Sequence, residues 1–225
     1  APVTVMRRFI PQDITGFMVS TGIVKQSEVD LAKAPHLARI LAIDAFWPTS
    51  ATEPGTGEMV TAVEDAVRMG VDCIKMLLPW EVSDIEKVQY CKRIGKVVGE
   101  AAKWDMPVMV EPVFLNVARS PEIIEAELEV ARVGYDLGAD IIKITFPGVD
   151  ATAKLCAELD IPIVVAGGPM SGDAKSTLRD IRESIEAGAQ GVVVGRKIWQ
   201  RPEAEAADMI KEIAGYTRKS YTRKW

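Results

Sequence analysis

Histidine is almost missing from this chain. His36 is the only one in 225 residues, and it stands in a Lys-Ala-Pro-His connection that reads as an exposed loop. A serine–histidine triad and a histidine-rich zinc site therefore have no basis. Cysteine is scarce as well: Cys73, Cys91 and Cys156 are odd in number and widely spaced. That spacing offers no metal-ligand pattern and points to a reducing compartment. No apolar run approaches the ~18 residues of a membrane span, and no secretory leader pattern opens the sequence. Positive charge is in deficit, with 27 Lys and Arg against 32 Asp and Glu, a net −5, so nothing predicts bulk affinity for nucleic acid. The basic stretch Arg218 to Lys224 is a local exception and reads as a solvated tail from about residue 215. The expectation is a cytoplasmic protein with neither membrane nor nucleic acid as partner. Also absent is a Gly-x-Gly-x-x-Gly turn after an early strand, the mark of an open dinucleotide-binding sheet.

What is present is apolar content (48%) ample for a core, in short β-branched segments that alternate with amphipathic stretches. Strands are expected at Gly16–Val24, Ala38–Phe46, Cys73–Leu78, Pro107–Val113, Asp140–Phe146, Pro162–Ala166 and Gly191–Val194. Helical spacing covers Glu58–Met69, Ile85–Trp104, Ile123–Leu137, Ala151–Leu159, Ala174–Ala187 and Pro202–Ala214. Glycines at Gly70, Gly138 and Gly188 read as helix C-caps before the next strand. Strict β–α alternation predicts a parallel sheet covered by helices, and this many units predicts a single (β/α)8 barrel domain over residues 1–225. One unit is lacking near the start: Val3–Ile10 makes a poor eighth strand, and no helix fits between it and Gly16.

Barrel chemistry sits at the C-terminal ends of strands, so the residues there carry the functional reading. Lys143 is a cation inside the β-branched run Ile141-Ile142-Lys143-Ile144-Thr145. Burial of a lysine that is neither paired nor discharged costs roughly 2–7 kcal/mol or more, and a discharged lysine is a nucleophile. Lys75, Glu111 and Asp44 reach the same rim from neighbouring strands. Four charged groups at one rim are poor stabilisers as buried ion pairs, but they suit one reaction. Lys143 attacks a carbonyl to form a Schiff base, Lys75 disfavours a second positive charge, and Glu111 and Asp44 move protons. The iminium supplies the electron sink, so neither metal nor cofactor is required. Gly167 and Gly168, with Gly195 and Arg196, end the last two strands, where many barrels bind phosphate.

The run Gly138–Lys143, with Pro162–Pro169 and Gly191–Gln200, resembles the class I aldolase superfamily. That group includes the deoxyribose-phosphate, archaeal-type fructose-bisphosphate and tagatose-bisphosphate aldolases. The resemblance covers about residues 38–200 and makes Lys143 the Schiff-base residue. Residues 50–69 are similar to the archaeal-type branch, whereas Cys73–Leu78 and Val110-Glu111-Pro112 look more like the tagatose-bisphosphate branch. The pattern departs from archaeal-type members at Met170, where a lysine is usual, and lacks their first-strand aspartate. An aromatic acid–base residue of some members has no match, and Glu111 takes that role. The resemblance implies a lyase acting on a phosphorylated small molecule, assembled as a homo-oligomer. It leaves open a Schiff-base enzyme that transfers an acyl or ketone fragment, of the autoinducer-2 thiolase or aminodideoxyheptulosonate synthase type. A non-catalytic barrel that binds sugar phosphates also remains open.

Overall fold

The computed structural model describes residues 2–47, 56–114, 117–167 and 173–224, with side-chain positions for all of these but 45–47, 56–58 and 219–224. The chain opens on a helix, α1 (Pro2–Phe9), where an eighth strand was weighed. Val3, Met6 and Phe9 are its buried residues, a spacing of three that one helix face satisfies and a strand cannot. The remaining elements are β1 (Gly16–Val19), α2 (Thr21–Ala32), β2 (Ala38–Ala42), β3 (Asp44–Trp47), β4 (Thr56–Met59), α3 (Val63–Arg68), β5 (Cys73–Pro79), α4 (Asp84–Ala101), β6 (Val108–Val113), α5 (Pro121–Asp136), β7 (Ile141–Thr145), α6 (Val149–Glu158), β8 (Ile163–Ala166), α7 (Ala174–Glu186), β9 (Gly191–Val193), α8 (Arg196–Trp199) and α9 (Glu203–Lys224).

Among the described residues seven strands are hydrogen-bonded in the order β1-β2-β5-β6-β7-β8-β9, and β3 pairs with β4 in a separate hairpin. The pairings β1–β2, β2–β5, β5–β6, β6–β7 and β8–β9 are parallel. This is the (β/α)8 class, short by about one βα unit. The chain groups into two compact units, Gly16–Ile142 and Ala1–Thr15 with Lys143–Trp225.

In the first unit, three expectations are corrected. The strand from Gly16 stops at Val19, because Ser20 adopts an extended N-cap and α2 begins at Thr21. The run Ala38–Phe46 is broken at Ile43. That residue's N–H still donates to the Lys75 carbonyl, but its own carbonyl accepts from Val60 and Thr61, which turns the chain into the β3–β4 hairpin. Consequently Glu58–Met69 is not one helix; it divides into the end of β4 and the short α3. In the second unit, α9 continues through Lys224, so residues expected as a tail are helical, and Arg218 pairs with Asp13. His36 is exposed, as expected.

The faces of the sheet follow from the helices. A Cβ placed on Gly134 of α5 would lie 2.9 Å from Ile142 Cδ1 and 3.3 Å from Val110 Cγ1. Helix α5 therefore rests on the Val110 and Ile142 face, and only glycine allows that approach. By the two-residue alternation of strands, Glu111 projects to the opposite face.

Strand starts are fixed by a repeated clamp. The Asp72 N–H donates to the Arg39 carbonyl at 2.9 Å, and its Oδ2 accepts from the Arg39 N–H at 2.8 Å. Asp140 treats Val108 the same way, at 2.9 and 2.8 Å, and Gln190 does so for Ile163, again at 2.9 and 2.8 Å. Each clamp stands two residues after a positive-φ glycine, Gly70, Gly138 or Gly188. The expected C-caps thus also aim the chain into the clamp.

Candidate active site

In the Gly16–Ile142 unit, strand register brings three of the expected residues together. Ala42 is opposite Lys75, and Leu77 is opposite Glu111. Lys75 Nζ meets Glu111 Oε2 at 2.7 Å, with the side chains only 6% and 15% exposed. Asp44, where the chain leaves β2, accepts the Leu77 N–H on Oδ2 at 2.6 Å. Its Oδ1 is buried and has no hydrogen-bond partner among the described residues. Leu77 had no signal in the sequence, because its contribution is a backbone amide.

Burial raises the Asp44 carboxyl above its ordinary range, with Glu111 adding to the effect; Lys75 and the Leu77 N–H oppose it. The folded state therefore binds this proton more tightly than the unfolded chain. Stability falls as pH rises from the ordinary carboxylate range through the raised value, and the penalty persists above it. Asp44→Asn is expected to stabilise the protein by about 1 kcal/mol at neutral pH and by less at pH 4, while lowering activity. Thermal melts at several pH values and a rate assay check both signs; destabilisation at neutral pH would remove this account of Asp44.

Cys73, two residues before Lys75, is no rival nucleophile, since burial pushes its thiol up to about 12. Two cavities formed by described residues lie elsewhere. One of about 460 Å³ borders Pro107 and Asp140 at the strand starts, and one of about 660 Å³ borders Thr61 and Lys96. Chemistry, not volume, marks out the charged cluster. Trp80, which follows β5, carries Lys87 Nζ 5.4 Å from its ring centre.

The second unit holds Lys143, 5% exposed, between the fully buried Ile142 and Ile144. On β7 it shares a face with Ile141. Gly167 ends β8 and donates to the Val193 carbonyl; a Cβ there would lie 2.8 Å from Val194 Cγ1. Gly168 falls outside the described residues. Gly195 precedes α8, and Arg196 is exposed.

Neither helix of this unit near the glycine turns offers an open dipole for an anion. The first turn of α7 is already served by Asp173, whose Oδ1 accepts from Ser176 N–H at 2.7 Å. Helix α8 has only four residues, too few to sum a large dipole. Anion affinity would rest on backbone amides and Arg196.

A family model described as DeoC/LacD family aldolase matches residues 1–201. The chain belongs to the DeoC/LacD aldolase family. Among its relatives is the 2-amino-4,5-dihydroxy-6-oxo-7-(phosphonooxy)heptanoate synthase of Streptomyces griseus, 30% identical over 72% of this chain and 60% of that protein. Another is the 2-amino-3,7-dideoxy-D-threo-hept-6-ulosonate synthase 1 of Archaeoglobus fulgidus, 28% identical over 83% of this chain and 68% of that one. The match thus spans less than two thirds of the first relative's length. An archaeal fructose-1,6-bisphosphate aldolase, solved with its catalytic lysine bound to a carbinolamine intermediate, superposes with a TM-score of 0.80. That comparison covers 95% of this chain and 84% of the other at 22% identity, and it establishes the fold. Within the DeoC/LacD family member described here, no helix among the described residues is long and apolar enough to cross a membrane.

Proposed function

We propose that this DeoC/LacD family protein is a class I aldolase that cleaves or forms a carbon–carbon bond in a phosphorylated sugar through a Schiff base on Lys143. The observation that carries the reading is the buried Lys75–Glu111 pair at 2.7 Å with Asp44 beside it. The neutral Lys143 amine adds to a ketone to give a carbinolamine, which loses water to become the iminium. The bond one carbon further out then breaks, and its electron pair flows toward the iminium nitrogen, leaving an enamine. Glu111 takes the proton from the adjacent hydroxyl as that oxygen becomes the carbonyl of the departing aldehyde. Protonation of the enamine and hydrolysis of the iminium return the lysine.

Glu111, 2.7 Å from Lys75, is assigned the base. Asp44, its pKa raised, is the complementary proton donor to the carbinolamine oxygen. The phosphate is assigned to Gly167, Gly168, Gly195 and Arg196. Glu111→Gln is expected to lower turnover by about 10²–10⁴-fold, yet to leave a borohydride-reducible adduct visible by mass spectrometry. Wild-type turnover in that variant would remove Glu111 from the mechanism.

A second reading is favoured by the names of the relatives. Both sequence relatives above are synthases of seven-carbon amino-keto acids. The same lysine would then pass its fragment to an acceptor aldehyde that carries a carboxylate. Product analysis with and without such an acceptor separates the two: release of a free aldehyde from a sugar phosphate alone supports the aldolase. The reading also assigns the protein to the cytoplasm as a homo-oligomer. It is supported by three free cysteines and by Ile85 and Val88, both exposed on α4.

A further inference from the structure

Arg201 follows α8 and is nine-tenths buried, its side chain 9% exposed. Its Nε donates to the Lys197 carbonyl at 2.7 Å, and its Nη1 donates to Glu205 Oε1 of α9 at 2.9 Å. The third group, Nη2, is buried with no hydrogen-bond partner among the described residues. The charge also reaches Asp173, the cap of α7, whose carboxyl it helps to hold below its ordinary range after the Ser176 hydrogen bonds and Lys175 have acted. One guanidinium therefore joins α8 to the start of α9 beside the turn that carries Gly195 and Arg196.

A structural clamp alone accounts poorly for this residue. Two carbonyl or carboxylate contacts join α8 to α9, yet a third donor stays unsatisfied, an arrangement that costs stability. A buried ion pair adds little net stability, and apolar side chains of similar size would hold two helices at least as well. What an apolar residue would not provide is a fixed positive charge in a water-poor setting beneath the turn. There, Coulomb attraction is several times stronger than in bulk water.

We infer that Arg201 is a positioning residue for a phosphate-bearing substrate, holding the Gly195–Lys197 turn so that Arg196 and the backbone amides face the anion, and adding its own buried charge to their attraction. The inference rests on the phosphate assignment made above, though not on the Schiff base. Arg196 makes the contact; Arg201 acts through it.

The test is calorimetric titration of the intact protein with inorganic phosphate, beside borohydride trapping with dihydroxyacetone phosphate and with unphosphorylated dihydroxyacetone. Arg201→Gln should weaken phosphate binding about tenfold or more, equivalent to about 1.4 kcal/mol. The half-saturating concentration of dihydroxyacetone phosphate should rise by the same factor, with that of dihydroxyacetone unmoved and the maximal trapping rate within about threefold. Arg201→Lys, which keeps the charge, should recover part of the loss. Because the glutamine variant risks a folding defect, Glu205→Gln serves as a second probe. It leaves the cation but releases its anchor, and should weaken phosphate binding in smaller measure.

Equal effects on the phosphorylated and unphosphorylated ketones, or unchanged phosphate affinity in both Gln variants, would overturn the inference. Absence of any adduct in the parent protein, with phosphate binding still dependent on Arg201, would instead count against the Schiff base and leave the positioning role standing. No phosphate binding in the parent protein would remove the assignment on which Arg201 depends.

Discussion

Lys143→Met is expected to lose turnover by about 10⁴-fold or more and to yield no borohydride-dependent mass increase, while remaining folded. The side chain is 5% exposed between Ile142 and Ile144, so an apolar residue of similar length fits its surroundings. Glu111 keeps Lys75 as its 2.7 Å partner in that variant, so the melting temperature should shift by only a few degrees. A folded, inactive and untrappable protein separates a chemical role from a structural one. Full turnover in the methionine variant, or an adduct that persists at another lysine, would defeat the Schiff-base assignment.

The second large effect concerns stability. Lys75→Met removes the cation that lies against Glu111 and lowers the charge cost at Asp44. Breaking one side of a buried pair costs about 3–5 kcal/mol, because the remaining charge has lost its compensation. Glu111 is 15% exposed, which places the expected loss near the lower bound, about 3 kcal/mol. The loss should grow with pH. Without the cation, a cause that opposes the raised Asp44 carboxyl is gone, so that group is still harder to ionise in the folded state and stability falls as pH rises through its folded value. At acid pH, where it is protonated, the variant should approach the parent. Urea unfolding at pH 4 and pH 8 measures the difference. The double variant Lys75→Met, Glu111→Leu should recover most of the loss, since no carboxylate then lies opposite the methionine. An equal deficit at both pH values would mean that Lys75 acts by packing and not by charge.

Much of this was legible in the sequence for definable reasons. Each strand from β5 onward is a short β-branched run between helical stretches, and the structure places each within a residue or two of expectation. Lys143 stood out because a cation in such a run is costly. The elements before β5 were harder. In α1 the alternation of β-branched residues in Val3-Thr4-Val5 competes with the spacing of Val3, Met6 and Phe9, and eight residues are too few for one period to prevail. The run Ala38–Phe46 is apolar but for Arg39 and Asp44, and the hydrogen bonds from Val60 and Thr61 that end β2 at Ile43 come from seventeen and eighteen residues away.

At the site, residue type announced Lys75, Glu111 and Asp44, but the partners that tune them did not announce themselves. The Leu77 amide has no side-chain signature. Arg201 is one cation among 27, and its burial depends on how α8 and α9 meet. The strand clamps had a usable signal in the repeated spacing of Gly70–Asp72, Gly138–Asp140 and Gly188–Gln190. The glutamine in the last case disguised it, since only its carbonyl oxygen repeats the aspartate's role.

Those clamps bear on how such a protein can be re-engineered. They pin strands at their beginnings, whereas Asp44, Glu111, Gly167 and Gly195 occupy the opposite ends. A combinatorial library confined to the exit loops would leave every pinning interaction intact, so most members should express as ordered protein and differ chiefly in what they accept. Randomising positions 72, 140 and 190 would instead scramble strand alignment, and sliding a strand by one residue exchanges its two faces. The amine at position 143 would then be delivered to the helix layer.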